Sequence, residues 1–414
     1  MIQHPLEARP PWEGRRVVLG VTGGIAAYKS VQLARDLTRL GAEVDVVLSR
    51  SASRFVQPLS FEGVTGRDAL IDLFSSRGAA LHISLGLDAQ TVCVAPATAD
   101  FLARAAQGRA DDLLTTTLLA TRAPVVVCPA MNDRMFSHPA VQDNLSRVAA
   151  FPGWRVAGPG VGPLAVGEGE GPGRMLEPWE IVEHVGRALG EEPAFRGRRV
   201  LVTAGPTREP LDPVRYLGNR SSGRMGYALA AAAWRRGAEV TLVSGPTALP
   251  DPVGVRTLRV GTAREMDREV REVIPGADVA VFAAAVADFR PSNPSKAKMK
   301  RDRGAGEEPV HLESNPDVAG GTRELRREGS VAVGFALETE DLLANAAKKL
   351  AGKGFHLLVA NSATREGSGF EVATNQVTIL DADGGVESLP LLSKDRVAER
   401  ILDRISALRP EWSR

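Results

Sequence analysis

The chain has 414 residues, 43% of them apolar, with 51 Lys plus Arg against 50 Asp plus Glu and a formal net charge of +1. That length allows two or three domains, and the near-neutral balance leaves no basic excess to hold a polyanion, which argues against nucleic acid as a principal partner. No apolar run approaches the ~20 residues that span a bilayer, and Met1 to Gly14 carry prolines and charges in place of a signal-peptide core, so no membrane partner and a cytoplasmic location are expected.

In chain order, Arg16 to Leu19, continuing to Gly20, is a β-branched run that ends in Thr22-Gly23-Gly24. A helical pattern follows from Ile25 to Leu40, and Gly41-Ala42-Glu43-Val44 leads a second apolar run to Leu48. Buried-strand runs come at Thr91 to Ala95 and Pro124 to Cys128. Cys93 and Cys128 are the only cysteines; they cannot build a disulfide framework or a zinc site alone, and they fit a reducing compartment. Gly158 to Gly173 is dominated by Gly and Pro with Glu168 and Glu170 between them; it reads as a mobile flap over a site, with a plain linker as the simpler reading.

The polar stretch Gly190-Glu191-Glu192-Pro193 marks a boundary, giving domains of 1–190 and 191–414. The opening pattern then recurs. Arg199 to Val202 runs into Thr203-Ala204-Gly205, a helix spans about Gly223 to Arg236, and Gly237-Ala238-Glu239-Val240 enters a strand to Val243. Further strand runs lie at Val279 to Ala284, Val331 to Phe335 and His356 to Ala360. Each helix closes at a glycine suited to the left-handed C-terminal conformation, and the alternation predicts an α/β fold of two Rossmann-like doubly wound domains with parallel strands.

Lysine is rare: Lys29, Lys296, Lys298, Lys300, Lys348, Lys349, Lys353 and Lys394 stand among 43 arginines. Six lysines between 296 and 353 point to a place where a compact, flexible ammonium is wanted, against a chance cluster on a solvated face. Neither half carries the G-x-G-x-x-G loop of a nicotinamide site. Instead Thr22-Gly23-Gly24-Ile25 offers a hydroxyl and free amides at a helix start, where phosphate binds. Ala95-Pro96-Ala97-Thr98-Ala99-Asp100 and Pro129-Ala130-Met131-Asn132 follow the next two strands, so all three loops fall at one carboxyl edge.

These residues resemble the homo-oligomeric flavin-containing cysteine decarboxylases, and the whole chain resembles the bacterial bifunctional family that fuses phosphopantothenoylcysteine decarboxylase to phosphopantothenate-cysteine ligase in coenzyme A biosynthesis. The resemblance implies an N-terminal flavoprotein domain with FMN bound by Thr22, Gly23, Ile25 and Thr98, Met131 and Asn132 near the substrate, and His82 as the catalytic histidine beside the flavin. On the residues alone, a lone histidine ahead of a strand is more often structural. Asn132 offers an amide N–H₂ to a substrate carboxylate, which an aspartate could not. In that family the flavin oxidises the substrate thiol to a thioaldehyde, carbon dioxide leaves, and a flap cysteine returns a proton during the final reduction.

The family flap has Leu-Ala-Cys-Gly before Gly-x-Gly-Arg-Met. Here it reads Leu164-Ala165-Val166-Gly167-Glu168-Gly169-Glu170-Gly171-Pro172-Gly173-Arg174-Met175, one residue longer, with Val166 at the cysteine position. Valine has no exchangeable proton. Three readings follow: Glu168 or Glu170 supplies it, Cys128 reaches the site, or this half no longer completes the reaction.

In the second half, Thr203-Ala204-Gly205-Pro206-Thr207-Arg208 leads to Leu217-Gly218-Asn219-Arg220-Ser221-Ser222-Gly223-Arg224-Met225-Gly226, a phosphate-binding helix start or simply a helix capped by Ser221 or Ser222. Ala284-Ala285-Val286-Ala287-Asp288-Phe289 follows a buried apolar strand, Lys298 and Lys300 lie in a polar loop after it, and Asn315-Pro316-Asp317-Val318 and Gly334-Phe335-Ala336-Leu337-Glu338-Thr339 complete the set. Lys349 and Lys353, four apart, share one helix face on which two cations can hold a triphosphate. The strings are similar to the ligase, which in bacterial members uses CTP to turn the phosphopantothenate carboxylate into an acyl-cytidylate before cysteine attacks. By that resemblance Asp288, Pro316, Asp317, Val318, Ala319, Phe335, Lys349 and Lys353 bind the nucleotide, Lys298 neutralises the reacting phosphate, and Asn219 hydrogen-bonds the activated carbonyl. Magnesium should accompany the triphosphate, with ligands no motif identifies. Trimer-based assembly of the flavin domains, with FMN at subunit contacts, and dimerisation of the ligase domains are implied likewise. The alternatives are a nucleotide- or flavin-holding module without catalysis, a ligase with a degenerate flavin domain, and, from architecture alone, an NAD-dependent oxidoreductase.

Overall fold

The computed structural model describes residues 7–74, 80–164, 167, 169–299, 309–338, 342–362 and 372–413. Its contacts divide the chain into two compact units, residues 1–190 and 191–414. Among the described residues no helix is long and apolar enough to cross a membrane.

In the first unit, β1 (Arg16–Val21), β2 (Glu43–Leu48), β3 (Thr91–Ala97), β4 (Val125–Pro129) and β5 (Trp154–Val156) form a parallel sheet in the order β2-β1-β3-β4-β5. The continuous apolar strands follow from burial on both faces. Val17, Leu19 and Val21 pack with the helices Ala27–Arg39 and Pro178–Gly190, whereas Val18, Val92 and Val94 pack with the helices Ala99–Ala106, Leu113–Ala120 and Pro139–Ala149. The helix expected from Ile25 begins two residues later, at Ala27, and closes before Gly41, whose φ of +92° is the left-handed form anticipated there. The Gly/Pro-rich stretch forms an antiparallel hairpin of β6 (Gly160–Pro163) and β7 (Glu170–Arg174); Ala165, Val166 and Glu168 at its tip lie outside the described residues.

The strands of the second unit are, in chain order, β8 (Arg199–Ala204), β9 (Arg208–Pro210), β10 (Tyr216–Gly218), β11 (Glu239–Ser244), β12 (Arg256–Arg259), β13 (Val279–Phe282), β14 (Phe289–Pro291), β15 (Leu312–Ser314), β16 (Val331–Glu338), β17 (Leu357–Ser362), β18 (Thr374–Asn375), β19 (Val377–Asp381), β20 (Val386–Ser388) and β21 (Leu392–Ser393). The main sheet runs β12-β11-β8-β13-β16-β17-β19-β20. It is parallel through β17, after which β19 and β20 add an antiparallel edge that apolar-run reading does not find. Both strands are short, and Thr378 and Asp381 in β19 and Glu387 and Ser388 in β20 interrupt them, so no long apolar run announces them.

The helix Arg224–Arg235 begins at Gly223, whose φ of +76° excludes the serine-capped start; Ser221 Oγ instead accepts from the Gly223 amide at 3.3 Å. Its run of alanines lets the helix Lys394–Leu408 pack closely against it, and three charged side chains are sealed between them. Glu399 accepts from Arg235 at 2.9 Å and from Arg236 at 3.0 Å, and Arg236 also reaches Asp403 at 2.7 Å. Arg235, Arg236 and Glu399 are all buried, so removing the carboxylate would take from both guanidinium groups the acceptor they share, leaving Arg236 with Asp403 and Glu192. Glu399→Ala is expected to lower the stability of this unit by about 3–5 kcal/mol, read as an earlier urea midpoint in the full chain; an unchanged midpoint would show the cluster contributes nothing net.

Candidate active sites

In the first unit the chain reverses sheet direction between β1 and β3, so the loops after these strands splay apart and leave a crevice at the carboxyl edge. A cavity of about 1360 Å³ opens there. Thr22, Gly23, Ile25, Thr98, Met131 and Asn132 all line it. Thr22 Oγ1 donates to the Pro96 carbonyl at 2.7 Å and accepts from the Thr98 amide at 3.1 Å, which ties the two loops together. Gly23 sits so close to Ser51 that a Cβ would fall 2.3 Å from its side chain. Met131 N donates to the Gly173 carbonyl at 2.9 Å, fastening the hairpin to the loop after β4. Asn132 Oδ1 caps the next helix by accepting from the Arg134 amide at 2.9 Å, which leaves the N–H₂ as the donor end of the side chain.

Several lining groups were not anticipated. Lys29, buried, donates to the Met175 carbonyl and to Glu177 at 2.8 Å, joining the helix after the glycine loop to the segment that follows β7. Burial, the largest influence on the Glu177 carboxyl, would raise it; Lys29 and Arg174 overcome that and hold it below its ordinary value. On another wall Arg104 ties Asp111 at 2.8 Å and Asp112 at 2.7 Å. The aspartates mask these cations in the sequence pattern, since a charge run there reads as a solvated face.

His82 lies elsewhere. It is on the helix Leu81–Asp88 and not on the wall of this cavity, and its Nδ1 is buried with no hydrogen-bond partner among the described residues. Ile83 and Leu87, four apart on the same helix, are 42% and 70% exposed, an apolar face left uncovered by the unit itself. Of the three substitute donors, Cys128 fails: its side chain is fully buried among core residues and absent from the cavity wall. The Cys93 contact and burial together push its thiol well up, against release of a proton. Glu170 is exposed at the start of β7 and also absent from the wall, while Gly171 and Gly173 take the buried positions of that strand. Val166 and Glu168 lie outside the described residues.

The second cavity, about 550 Å³, opens at the matching place, where β8 and β13 end side by side. Asn219, Asp288, Pro316, Asp317, Val318, Ala319, Phe335, Lys349 and Lys353 line it. Gly245 passes so near the Pro206 carbonyl that a Cβ would sit 1.8 Å from its oxygen, so this loop crossing admits only glycine. Lys353 reaches Asp317 at 2.9 Å. Burial, the largest influence, would raise the Asp317 carboxyl; amides of Gly320 and Ala319 and the Lys353 ammonium hold it below its ordinary value.

Two expected residues behave differently from the simple reading. Asn219 Nδ2 donates to the Ala285 and Val286 carbonyls at 3.2 and 3.1 Å, so its donors brace the loop after β13, and donation to a substrate carbonyl requires exchange of one of these bonds. Lys298 is exposed and does not line the cavity. Its loop is nonetheless tethered: Met299 N donates to Asp212 at 3.2 Å, and Arg215 grips both Asp212 and the Met299 carbonyl. The Arg215 hydrogen bond is the largest influence on Asp212 and keeps it far down the carboxylate range. Lys300 lies outside the described residues. Arg224, Asn361, Asn375 and Lys394 line the cavity without having been singled out; the rarity of lysine was the one available signal for Lys394. Among the described residues no group of three or more His, Cys, Asp or Glu is placed to hold a metal ion.

Residues 7–190 match the Flavoprotein family, and residues 195–408 match the DNA/pantothenate metabolism flavoprotein C-terminal domain. The coenzyme A biosynthesis bifunctional protein CoaBC of Mycobacterium tuberculosis is 45% identical over 405 residues, covering 94% of this chain and 96% of that one. The CoaBC protein of Vibrio cholerae is 43% identical over 395 residues, covering 95% and 98%. A crystal structure of the C-terminal domain of a CoaBC protein is 39% identical, covers 53% of this chain and all of its own, and superposes with a TM-score of 0.45. The chain belongs to the family of bifunctional coenzyme A biosynthesis proteins.

Burial of both thiols gives a direct check on the first unit. Cys93 and Cys128 are each 0% exposed, so a thiol-disulfide reagent is expected to titrate neither in the native chain and both once guanidinium unfolds it. Rapid native modification of one thiol would return Cys128 to the list of proton donors.

Proposed function

We propose that the chain carries out two consecutive steps, one in each unit: CTP-dependent joining of phosphopantothenate to cysteine in residues 191–414, then FMN-dependent decarboxylation of the phosphopantothenoylcysteine in residues 1–190. One observation carries the reading. Each unit opens a cavity at the carboxyl edge of its parallel strands, and each cavity gathers the motif residues of a different half of the family.

A carboxylate is a poor acyl donor. Its oxygen attacks the α-phosphorus of CTP, pyrophosphate leaves, and the amine of cysteine then displaces CMP from the acyl-cytidylate. Lys349 and Lys353 face the phosphates, Asp317 orients Lys353, and Asp288 and Phe335 line the rest of the nucleotide's place. Lys298 stands at the tethered end of its loop, where its flexible stem can follow charge that develops at the reacting phosphate. Lys298→Gln is expected to slow pyrophosphate release by roughly two orders of magnitude or more while CTP binding weakens less; release near the parent rate would remove Lys298 from the reaction.

The first cavity suits a mononucleotide with a flat ring: Thr22 and Thr98 present a hydroxyl pair, and Gly23 leaves room for close approach of backbone. Bound FMN would supply two-electron oxidation of the substrate thiol and its later reversal. Asn132 directs its N–H₂ toward the carboxylate that is lost, and Lys29 holds the base of the flap. Since His82 does not line its own cavity, a second copy docked on the apolar Ile83–Leu87 face would let His82 of the partner subunit complete the site, in keeping with trimer-based assembly.

With Val166 in place of the flap cysteine, loss of carbon dioxide and return of the proton separate. Carbon dioxide release from phosphopantothenoylcysteine is expected to outrun phosphopantetheine formation, and Val166→Cys, with one flap residue near Glu168 removed where needed, to speed the second step. Mass spectrometry of a single incubation reads both. Fast, complete phosphopantetheine formation that survives Glu168→Gln and Glu170→Gln would overturn the donor argument.

A further inference from the structure

Lys353 is the last residue of the helix Leu342–Lys353, and its ammonium meets Asp317 at 2.9 Å on the wall of the second cavity. Where that ammonium stands depends on two pieces of main chain, the end of the helix and the loop that carries Asp317. The loop is drawn tight around the aspartate. Gly320 N donates to Asp317 Oδ1 at 3.1 Å, Gly321 N donates to the Asp317 carbonyl at 2.7 Å, and Thr322 Oγ1 donates to the Val318 carbonyl at 2.7 Å. The helix end needs a hold of another kind, since the last carbonyls of a helix have no acceptor role within it and look outward for donors.

Arg326 joins the two pieces. Its Nη1 donates to the Lys353 carbonyl at 3.0 Å and to the Gly354 carbonyl at 2.8 Å, and its Nη2 donates to the Ala319 carbonyl at 2.6 Å. Ala319 stands two residues beyond Asp317, so the guanidinium links through main chain the same two segments that Lys353 and Asp317 link through side chains. The guanidinium carbon also lies 5.4 Å from the ring centres of both Phe282 and Phe355, which line the cavity. Arg326 itself is absent from the cavity wall. Three carbonyls and two ring faces call for a planar fork rather than the point charge of a lysine, and the positive charge suits the C-terminal end of the helix dipole.

We propose that Arg326 is a positioning residue for nucleotide binding: by tying the end of the lysine-bearing helix to the Asp317 loop, it fixes where Lys353 presents its ammonium to the polyphosphate. This rests on the nucleotide reading of the cavity. An ammonium has three donors, so Lys353 can keep Asp317 and take a phosphate oxygen as well, provided the helix end stays where it is. Held in place beforehand, it needs no ordering when the nucleotide arrives.

The test is a double-mutant cycle in the full-length chain: the parent, Arg326→Met, Lys353→Met and the two together. Each is read by isothermal titration with magnesium CTP and by initial rates of pyrophosphate release with phosphopantothenate and cysteine. Arg326→Met is expected to weaken CTP binding about tenfold, the scale of one charge-assisted hydrogen bond, and to raise KM for CTP by a like factor with a smaller change in kcat. Arg326→Lys, which keeps the charge but not the fork, is expected to recover only part of this, binding CTP about threefold more weakly than the parent. Because Arg326 acts through Lys353, Arg326→Met in the Lys353→Met background is expected to weaken CTP by about twofold or less. An equal loss in both backgrounds overturns the proposal, since the guanidinium then supports the cavity without regard to Lys353. A lower melting temperature with CTP affinity and KM within about twofold of the parent assigns Arg326 to stability alone and overturns it too, while leaving the nucleotide reading intact. If Arg326→Met does not fold, Arg326→Lys runs the same cycle. A parent that binds no CTP fails the nucleotide reading, and the proposal with it.

Discussion

Burial of both faces of a parallel sheet is the constraint on which everything else in this molecule depends. Strands such as Val17–Val21 and Val279–Phe282 are covered above and below by apolar helices, so no polar group can act from either face. Polar chemistry is confined to the edge where the strands end. Within that edge, only the reversal of strand order opens a gap, between β1 and β3 in one unit and between β8 and β13 in the other. Loops that meet there must pass at backbone distance, which is why Gly23 and Gly245 stand where any side chain would collide.

What the amino-acid order made legible follows from the same constraint. Continuous β-branched runs separated by helical patterns mark the buried parallel strands, and the loops that follow them mark the edge where the cavities open; the family resemblance then named Thr22, Thr98, Asp288 and Asp317, which line those cavities. Strands β19 and β20 escaped because they are only five and three residues long and broken by Thr378, Asp381, Glu387 and Ser388, although β19 buries Val377 and Ile379 on one face and Leu380 on the other. Lys394 escaped for a different reason. It begins a helix more than thirty positions after Lys353, and only packing of that helix on Arg224–Arg235 brings it to the second cavity. His82 shows the opposite failure, since a motif can name a residue without saying that its own subunit's cavity excludes it.

The flap shows how a local departure spreads through a mechanism. Its β7 strand alternates so that Gly171 and Gly173 face the protein, and Gly173 accepts from Met131 N, so the hairpin base is locked to the loop after β4. Glu170 sits on an outward position of that strand and is absent from the cavity wall. Cys128 is no closer in chemical terms, since a thiol that shares its buried surroundings with Cys93 holds its proton. In the proposed reaction the acid is therefore left to the segment between β6 and β7, whose sequence is one residue longer here than the family pattern.

Arginine and lysine divide the work of positive charge here according to shape. Arg235 and Arg236 share the Glu399 carboxylate inside the helix interface, where a planar fork satisfies several acceptors at once and never gives up its proton. Such a group suits a permanent join between two helices and suits an exchanging ligand poorly, because its acceptors must always be present. Lysine is a point charge on a flexible stem whose proton affinity responds to burial, as it does at Lys394. Four of the eight lysines stand on cavity walls, Lys29 on the first and Lys349, Lys353 and Lys394 on the second, so in a chain that otherwise uses arginine the adaptable cations gather where the proposed reactions would have anionic ligands arrive and depart.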